Sequence, residues 1–408
     1  MPVIALTVNN IHNACVAIGA AKQAGRRHGG PAEVAIVGGG IFGVSTALEL
    51  AERGRRVVLI ERGAIPAATA ASRGPSRKIR ARYAEPRYSA LARLARRRWL
   101  DLERRSGVEL VVPVGNLLYS VRDDPSAYER MVETMTAAGL SHRRLDAGAM
   151  AREFPQLGGA TRGILEQEAG YLRASRAVRA LAGLARSAGA RLVTHTNVEA
   201  VEARAGRFRL QTSRGVVEAG QVVVAAGGWT PRLVPDLRPQ LRLSRQGIAY
   251  VGRVPPAYRR PAFIPFGSID DGYYGFPAEG RFGLKVAYHD LGESIDDPDF
   301  DRGSVSDAFV ERVAVFVSDV LRLDPARHPV RYESCLYNLS PSGDLLVDAH
   351  PEIPGLVVAT AGSGHGFKFG SVIGSLVADR LDGVANDAWW PNLGYAAIRT
   401  AEAAGRPL

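Results

Sequence analysis

Residues 33–61 read EVAIVGGGIFGVSTALELAERGRRVVLIE. The first five are an apolar run of the buried-strand type. GGGIFG follows at 38–43, and Val44, Ala47, Leu48 and Ala51 then recur on one face of a helix that Gly54 ends. A second apolar run, 56–60, finishes at Glu61. This is a βαβ start carrying G-x-G-x-x-G at Gly38, Gly40 and Gly43, with an acid 18 residues beyond the last glycine. The first glycine permits a tight turn, the second admits a pyrophosphate, and the third lets helix and strand approach closely. The helix amino end favours the phosphates, and Glu61 is placed to accept from a ribose. The motif predicts a bound dinucleotide.

An acid at 61 serves FAD and NAD equally. Three features favour FAD. The motif opens the folded part of the chain, VVVAAGG recurs the strand-then-glycine pattern at 222–228, and LVVATAGSGHG repeats it at 356–366. Several glycine turns around one extended ligand suit FAD better than a one-domain NAD enzyme. Gly227, in the second turn, is a candidate cofactor contact.

Outward from this core, helices are expected over 81–106, 127–138, 147–154, 175–188, 308–320 and 370–381. A hairpin is expected around Ser213-Arg214, with a separate buried strand at 221–226, and β segments from about 240 to 287. The fold class is α/β (α+β overall): a glutathione-reductase-like, Rossmann FAD-binding domain with an inserted, mainly antiparallel β substrate domain. The expected division is a poorly ordered extension at 1–31, the FAD domain from 32–112, 165–238 and 335–386, the substrate domain from 113–164 and 239–334, and a tail at 387–408.

The composition narrows the function. Two cysteines, Cys15 and Cys335, exclude a disulfide framework and fit a reducing, cytoplasmic compartment. No Cys/His cluster has zinc spacing. A net charge of +11 raises nucleic-acid binding, but the arginines are scattered without a basic stripe, which fits a high-arginine composition instead. The apolar stretch near the amino end has its basic residues after it, the wrong order for a signal peptide, and nothing else reaches the roughly 20 apolar residues of a membrane helix. Only four lysines occur, Lys22, Lys78, Lys285 and Lys368. Where arginine serves almost everywhere, a retained lysine points to a compact charge in a tight site.

Further separated motifs resemble, in order, those of the monomeric sarcosine oxidase and N-methyltryptophan oxidase family, within the D-amino-acid-oxidase-like FAD-dependent oxidoreductases. The resemblance spans about 33–386. Ser76-Arg77-Lys78-Ile79-Arg80, followed by Tyr83, is similar to the family's Ser/Thr-Arg-x-x-Arg segment, which implies that Ser76 and Arg77 lie at the flavin and Arg80 binds the substrate carboxylate. Lys78 falls at a variable position. YYGFP (273–277), GLK (283–285) and Tyr288-His289 resemble YYGFP…GLKxxYH, implying that Lys285 promotes reaction with O2 and that Tyr274 and His289 line the substrate cavity. Cys335-Leu336-Tyr337 matches the segment whose cysteine forms a thioether with the flavin 8α-methyl group, with Tyr337 beside the substrate. The family continues Thr, then Thr-Pro-Asp; here Asn338-Leu339-Ser340-Pro341-Ser342 stands instead. SGHGFK (363–368) is similar to the family's flavin-binding turn, implying cofactor contacts from Gly364, His365, Gly366 and Lys368, with Lys368 sharing the substrate carboxylate. Gly362 replaces a usual Phe, and Val198 matches a position whose backbone faces the adenine.

The resemblance implies an oxidase of a secondary, N-methyl or cyclic amino acid, giving an imine and H2O2, monomeric and without metal, nucleic-acid or membrane partners. The substituted pocket positions and the extension permit a tailoring role in specialised metabolism. A flavin-dependent 2-hydroxy-acid dehydrogenase is the alternative within the superfamily. A non-catalytic flavin- or nucleic-acid-binding protein is the alternative outside it.

Overall fold

The computed structural model describes residues 32–290, 292–384 and 393–400. The expected extension at 1–31, and the tail at 387–408 apart from 393–400, lie outside the described residues.

Five short strands pair in parallel, in the order Arg191–Val193, Val57–Ile60, Ala32–Val37, Gly215–Val224 and Leu356–Thr360. Strands buried on both faces need apolar side chains at every position, and Val57–Ile60 and Leu356–Thr360 are buried throughout. One face carries the helices Ile41–Glu52, Ala174–Ser187 and Gly370–Leu381 in a core that includes Trp99 and Phe369. The other carries a smaller core around Phe208, Leu237 and Tyr395.

The expected hairpin and the separate strand at 221–226 are one element. Gly215–Val224 runs continuously, pairing antiparallel with Arg207–Thr212 through Ala219 and parallel with Ala32–Val37 from Ala219 onward. Its exposed first half and buried second half read as two strands because they face different environments.

A second sheet of nine strands is antiparallel except where Phe266–Ser268 runs parallel to Asn116–Ser120. Its longest pairing joins Arg242–Val251 to Val330–Leu339 in unbroken register. Two expected domain limits fall inside strands of this sheet, 164/165 in Arg162–Glu166 and 334/335 in Val330–Leu339. A third sheet, Arg77–Ile79 with Gly170–Leu172 and Val111–Val112, carries the arginine segment.

The helix expected from 81 begins instead at Pro86, with Glu85 capping the Arg87 N–H and Gly107 closing it in the left-handed conformation. Proline suits the first helical position and disfavours helix in the residue before it. Residues 80–85 are therefore a loop, which leaves Arg80, Arg82 and Tyr83 available to the cavity described below. The segment 308–320 is an α-helix, Asp307–Val315, running into a wider π turn, Phe316–Val320.

The helices Ile41–Glu52 and Gly370–Leu381 touch through backbone. A Cβ on Gly374 would lie 2.4 Å from the Ser45 carbonyl oxygen. Gly374→Ala must push the two helices apart, and chemical denaturation should show a loss of about 1–3 kcal/mol.

Candidate active site

The glycine turn is built by contacts that exclude side chains. Gly38 has φ +107°, and a Cβ there would sit 2.5 Å from the Ala225 carbonyl oxygen. A Cβ on Gly43 would sit 1.8 Å from the Gly38 carbonyl oxygen. Gly40 differs: the nearest atom to its missing Cβ is Ser72 Oγ at 3.4 Å, and Gly40 lines a cavity of about 1280 Å³. Glu61 is buried at the same place. Its Oε2 accepts from the Gly39 N–H at 2.6 Å and its Oε1 from Gly63 N–H at 2.8 Å. Each carboxylate oxygen has a further lone pair. Val198 and Gly227 line the same cavity.

The arginine segment lies along it too. Arg77 donates to the carbonyls of Ser76, Ala71 and Arg73, so its guanidinium ties down loop 71–76. Arg80 stacks on Tyr83, 4.8 Å to the ring centroid, and donates to the Arg82 carbonyl. Among the expected site residues only Gly43 and Ser76 do not line the cavity. Gly43 is a helix-packing residue, and Ser76 is buried beneath Arg77.

Register in the second sheet puts five expected residues on one face. Cys335 pairs with Gln246 and Lys285 with Tyr250, and these two partners are four residues apart on one strand. Lys285 pairs in turn with Phe276, two residues from Tyr274. Side chains an even number apart, and cross-strand partners, share a face, so Tyr274, Lys285, Cys335 and Tyr337 point the same way. His289 continues this spacing just past Gly283–Tyr288, with Nδ1 3.5 Å from Tyr337 Oη.

The turn at 362–368 supplies the opposite chemistry. Lys368 Nζ donates to Tyr83 Oη and to the His365 carbonyl, each at 2.8 Å. His365 Nε2 lies 2.9 Å from the Gly343 carbonyl and Nδ1 lies 3.1 Å from Tyr83 Oη. The carbonyl can only accept, so the network assigns the proton to Nε2, and Tyr83 donates to Nδ1. Gly364 is forced by Tyr337: φ is +75° and a Cβ would lie 2.5 Å from that ring.

Burial, more than any nearby charge, sets the titration of this wall. Burial, then Arg77, lowers Lys285 to about 7. Burial, then Arg80, holds Lys368 well below the ordinary lysine range. Burial, then Arg80, Lys368 and Lys78, lowers His289 to about 4, so it is neutral at physiological pH. Burial, then Lys368, lowers His365 to about 3.

Further polar residues of the cavity carry no role in the sequence-based expectation or only that of a departure from the family pattern. Lys78, at the variable position, reaches the cavity, as do Arg82 and Asn338. Asn338 Nδ2 donates to the Gly227 carbonyl at 2.9 Å, and its buried Oδ1 has no partner within the protein. The scarcity of lysine was the one available signal for Lys78. For Arg82 the local signal is Pro86, which starts the helix and leaves Arg82 in the loop ahead of it.

Residues 33–380 match the family described as FAD dependent oxidoreductase. The chain belongs to that family. Monomeric sarcosine oxidase of Bacillus sp. (strain NS-129) is 27% identical, over 85% of this chain and 92% of the relative. Peroxisomal sarcosine oxidase of Mus musculus is 30% identical, over 84% and 90%. Among solved structures, NikD, titled an unusual amino acid oxidase essential for nikkomycin biosynthesis, shares the fold at TM-score 0.75 and 24% identity, over 88% of this chain and 96% of that one. Glycine oxidase from Geobacillus kaustophilus does so at TM-score 0.74 and 23% identity, over 88% and 96%. The family is FAD-dependent, and the residues fit that group. One cavity is lined by the open Gly40 position, by Glu61, by the orphaned acceptor's residue Asn338 and by Cys335. Among the described residues no group of three or more potential metal ligands occurs, and no helix is long and apolar enough to cross a membrane.

Lys285 gives a pH test. Its folded value near 7 lies below the ordinary 10.5, so the unfolded chain binds more protons between those values and stability rises with pH there. The stability advantage of Lys285→Met over the parent protein, measured by denaturation, should be largest below pH 7 and shrink as pH climbs towards 10.5.

Proposed function

We infer that this protein is an FAD-dependent oxidase of a secondary, N-methyl or cyclic amino acid, converting the C–N bond to an imine and passing the electrons to O2 to give H2O2. The observation that carries the reading is the pair Arg80 and Lys368, which line one cavity with Lys285 and Cys335 and, among the described residues, have no carboxylate of their own. The relatives named sarcosine oxidase and N-methyl-L-tryptophan oxidase supply the substrate class.

Arg80 and Lys368 hold the substrate carboxylate, a guanidinium and an ammonium suiting its two oxygens. Tyr83 and the His365 carbonyl orient Lys368. Neutral His289, Tyr274 and Tyr337 wall the reacting carbon without adding a charge that would repel a cationic amine. Bound FAD supplies the two-electron acceptor. Lys285, when protonated, stabilises negative charge that develops as O2 is reduced. Gly38, Gly40, the helix amino end and Glu61 hold the adenosine and pyrophosphate, Val198 the adenine, and the turn at 364–366 the isoalloxazine. Cys335 would hold the flavin, as a thioether through its 8α-methyl carbon. The division into an FAD domain and an inserted substrate domain belongs to this reading, as do a monomeric state and a cytoplasmic location, which the paucity of cysteine supports.

Anaerobic mixing with N-methyl amino acids, cyclic imino acids, primary amino acids and 2-hydroxy acids tests the reaction. Bleaching of the flavin band by a secondary or cyclic amine, reversed by air with H2O2 release, is expected. Bleaching by 2-hydroxy acids alone would replace this reading with the dehydrogenase. In Lys285→Met, reoxidation by O2 should slow by about a hundredfold while bleaching persists. Denatured protein should retain its yellow colour on filtration and Cys335→Ser should lose it; release of free FAD from the parent protein would refute the tether.

A further inference from the structure

The carboxylate clamp uses only part of the positive charge in this cavity. Lys78 and Arg82 line it as well. Lys78 Nζ has one hydrogen bond, to the Phe266 carbonyl at 2.6 Å, and lies 5.5 Å from the Tyr274 ring centroid. Three ammonium donors therefore have a single acceptor. Arg82 is poorer still. Among the described residues its one side-chain partner is Met131 Sδ at 2.8 Å, a thioether and so a weak acceptor, and its buried Nε has none. Neither residue is ion-paired among the described residues.

A guanidinium left in this condition is costly unless an anion completes it. Lys78, Arg82 and Lys368 each feel Arg80 and Glu166; Asp270 and Asp271 also line the cavity but, among the described residues, form no ion pair with these cations. Glu166 Oε1 is engaged by the Ala81 N–H at 2.9 Å. Burial, then Arg80 and Arg82, holds Lys78 well below the ordinary lysine range, as expected of a cation cluster short of counter-charge. A substrate with one carboxylate, together with Glu166, would balance only two of these four cations. The cavity is also lined by Arg130, Met131 and Thr134, on the helix that Arg82 touches, so a longer substituent has room there.

We propose that Lys78 and Arg82 form a second anion subsite, and that the substrate is a secondary or cyclic amino acid bearing a second carboxylate on its side chain or its nitrogen substituent. The subsite is independent of the chemistry; the word substrate rests on the amine-oxidase reading above.

The test uses FAD-loaded protein. Perturbation of the bound flavin's visible spectrum gives dissociation constants for glutarate against pentanoate and for succinate against butanoate. The dicarboxylate of each pair should bind at least ~tenfold more tightly, the equivalent of one charge-assisted contact. Lys78→Met and Arg82→Met should each reduce that ratio about tenfold, whereas the charge-keeping Lys78→Arg and Arg82→Lys should retain most of it. The ratio is insensitive to partial misfolding, which weakens both ligands together. Equal affinity for di- and monocarboxylates, or a preference that survives both Met substitutions, would overturn the subsite. Anaerobic bleaching by N-methylglutamate and N-methylaspartate against N-methylnorvaline then separates the two readings. A dicarboxylate preference with no bleaching by any amine leaves the subsite standing and removes the amine reading. Bleaching that does not favour the diacids does the reverse.

Discussion

Backbone lies directly on backbone where Gly43 meets the Gly38 carbonyl and Gly38 meets that of Ala225, and the cavity depends on that contact. It seats the helix Ile41–Glu52 at the carboxyl end of the parallel strands. Three of those strands then end in glycine turns, at Gly38, Gly227 and Gly362 to Gly364, and all of these glycines line the same space. A ligand at the carboxyl ends of parallel strands is the general rule for open α/β sheets. Any side chain at Gly38 or Gly43 would lift the helix and close the approach that makes the rule work here.

The second constraint is electrostatic. Arg77, Lys78, Arg80, Arg82, Lys285 and Lys368 all border one cavity, and burial is the leading cause of the depressed values of Lys78, Arg82, Lys285 and Lys368. Such an array is unfavourable alone and favourable around anions, because the low local dielectric amplifies both repulsion and attraction. On the proposed reading, this field favours an anionic ligand by charge before any shape is considered. Burial first, and then the positive field of the neighbouring cations, keeps His289 and His365 neutral.

Legibility followed the range of the interactions. The glycine turn, Glu61 and the helix Gly370–Leu381 depend on near neighbours and were readable as pattern. Gly215–Val224 was split in two because its halves meet different strands, which no local window contains. The loop holding Arg82 was read as helix although Pro86 marks the true start. The motif gives Lys78 no role, because its contacts are with Phe266 and Tyr274, nearly two hundred residues away.

The site residues of the second sheet show the same limit more sharply. Tyr274, Lys285, Cys335 and Tyr337 share a face only because Arg242–Val251 pairs with Gly283–Tyr288 on one side and Val330–Leu339 on the other in fixed register. A slip of one residue in either pairing would turn its members away from the cavity. The opposite face holds the register. Gly247, adjacent to Gln246, has the Phe309 ring where a Cβ would be, at 2.6 Å, and Ala249 and Val251 on the same face belong to one core with Val313, Phe316 and Val317. Packing on the face away from the chemistry therefore positions the chemistry. Conservative changes at Gly247 or Phe309 act on Cys335 and Lys285 through strand register, not through contact.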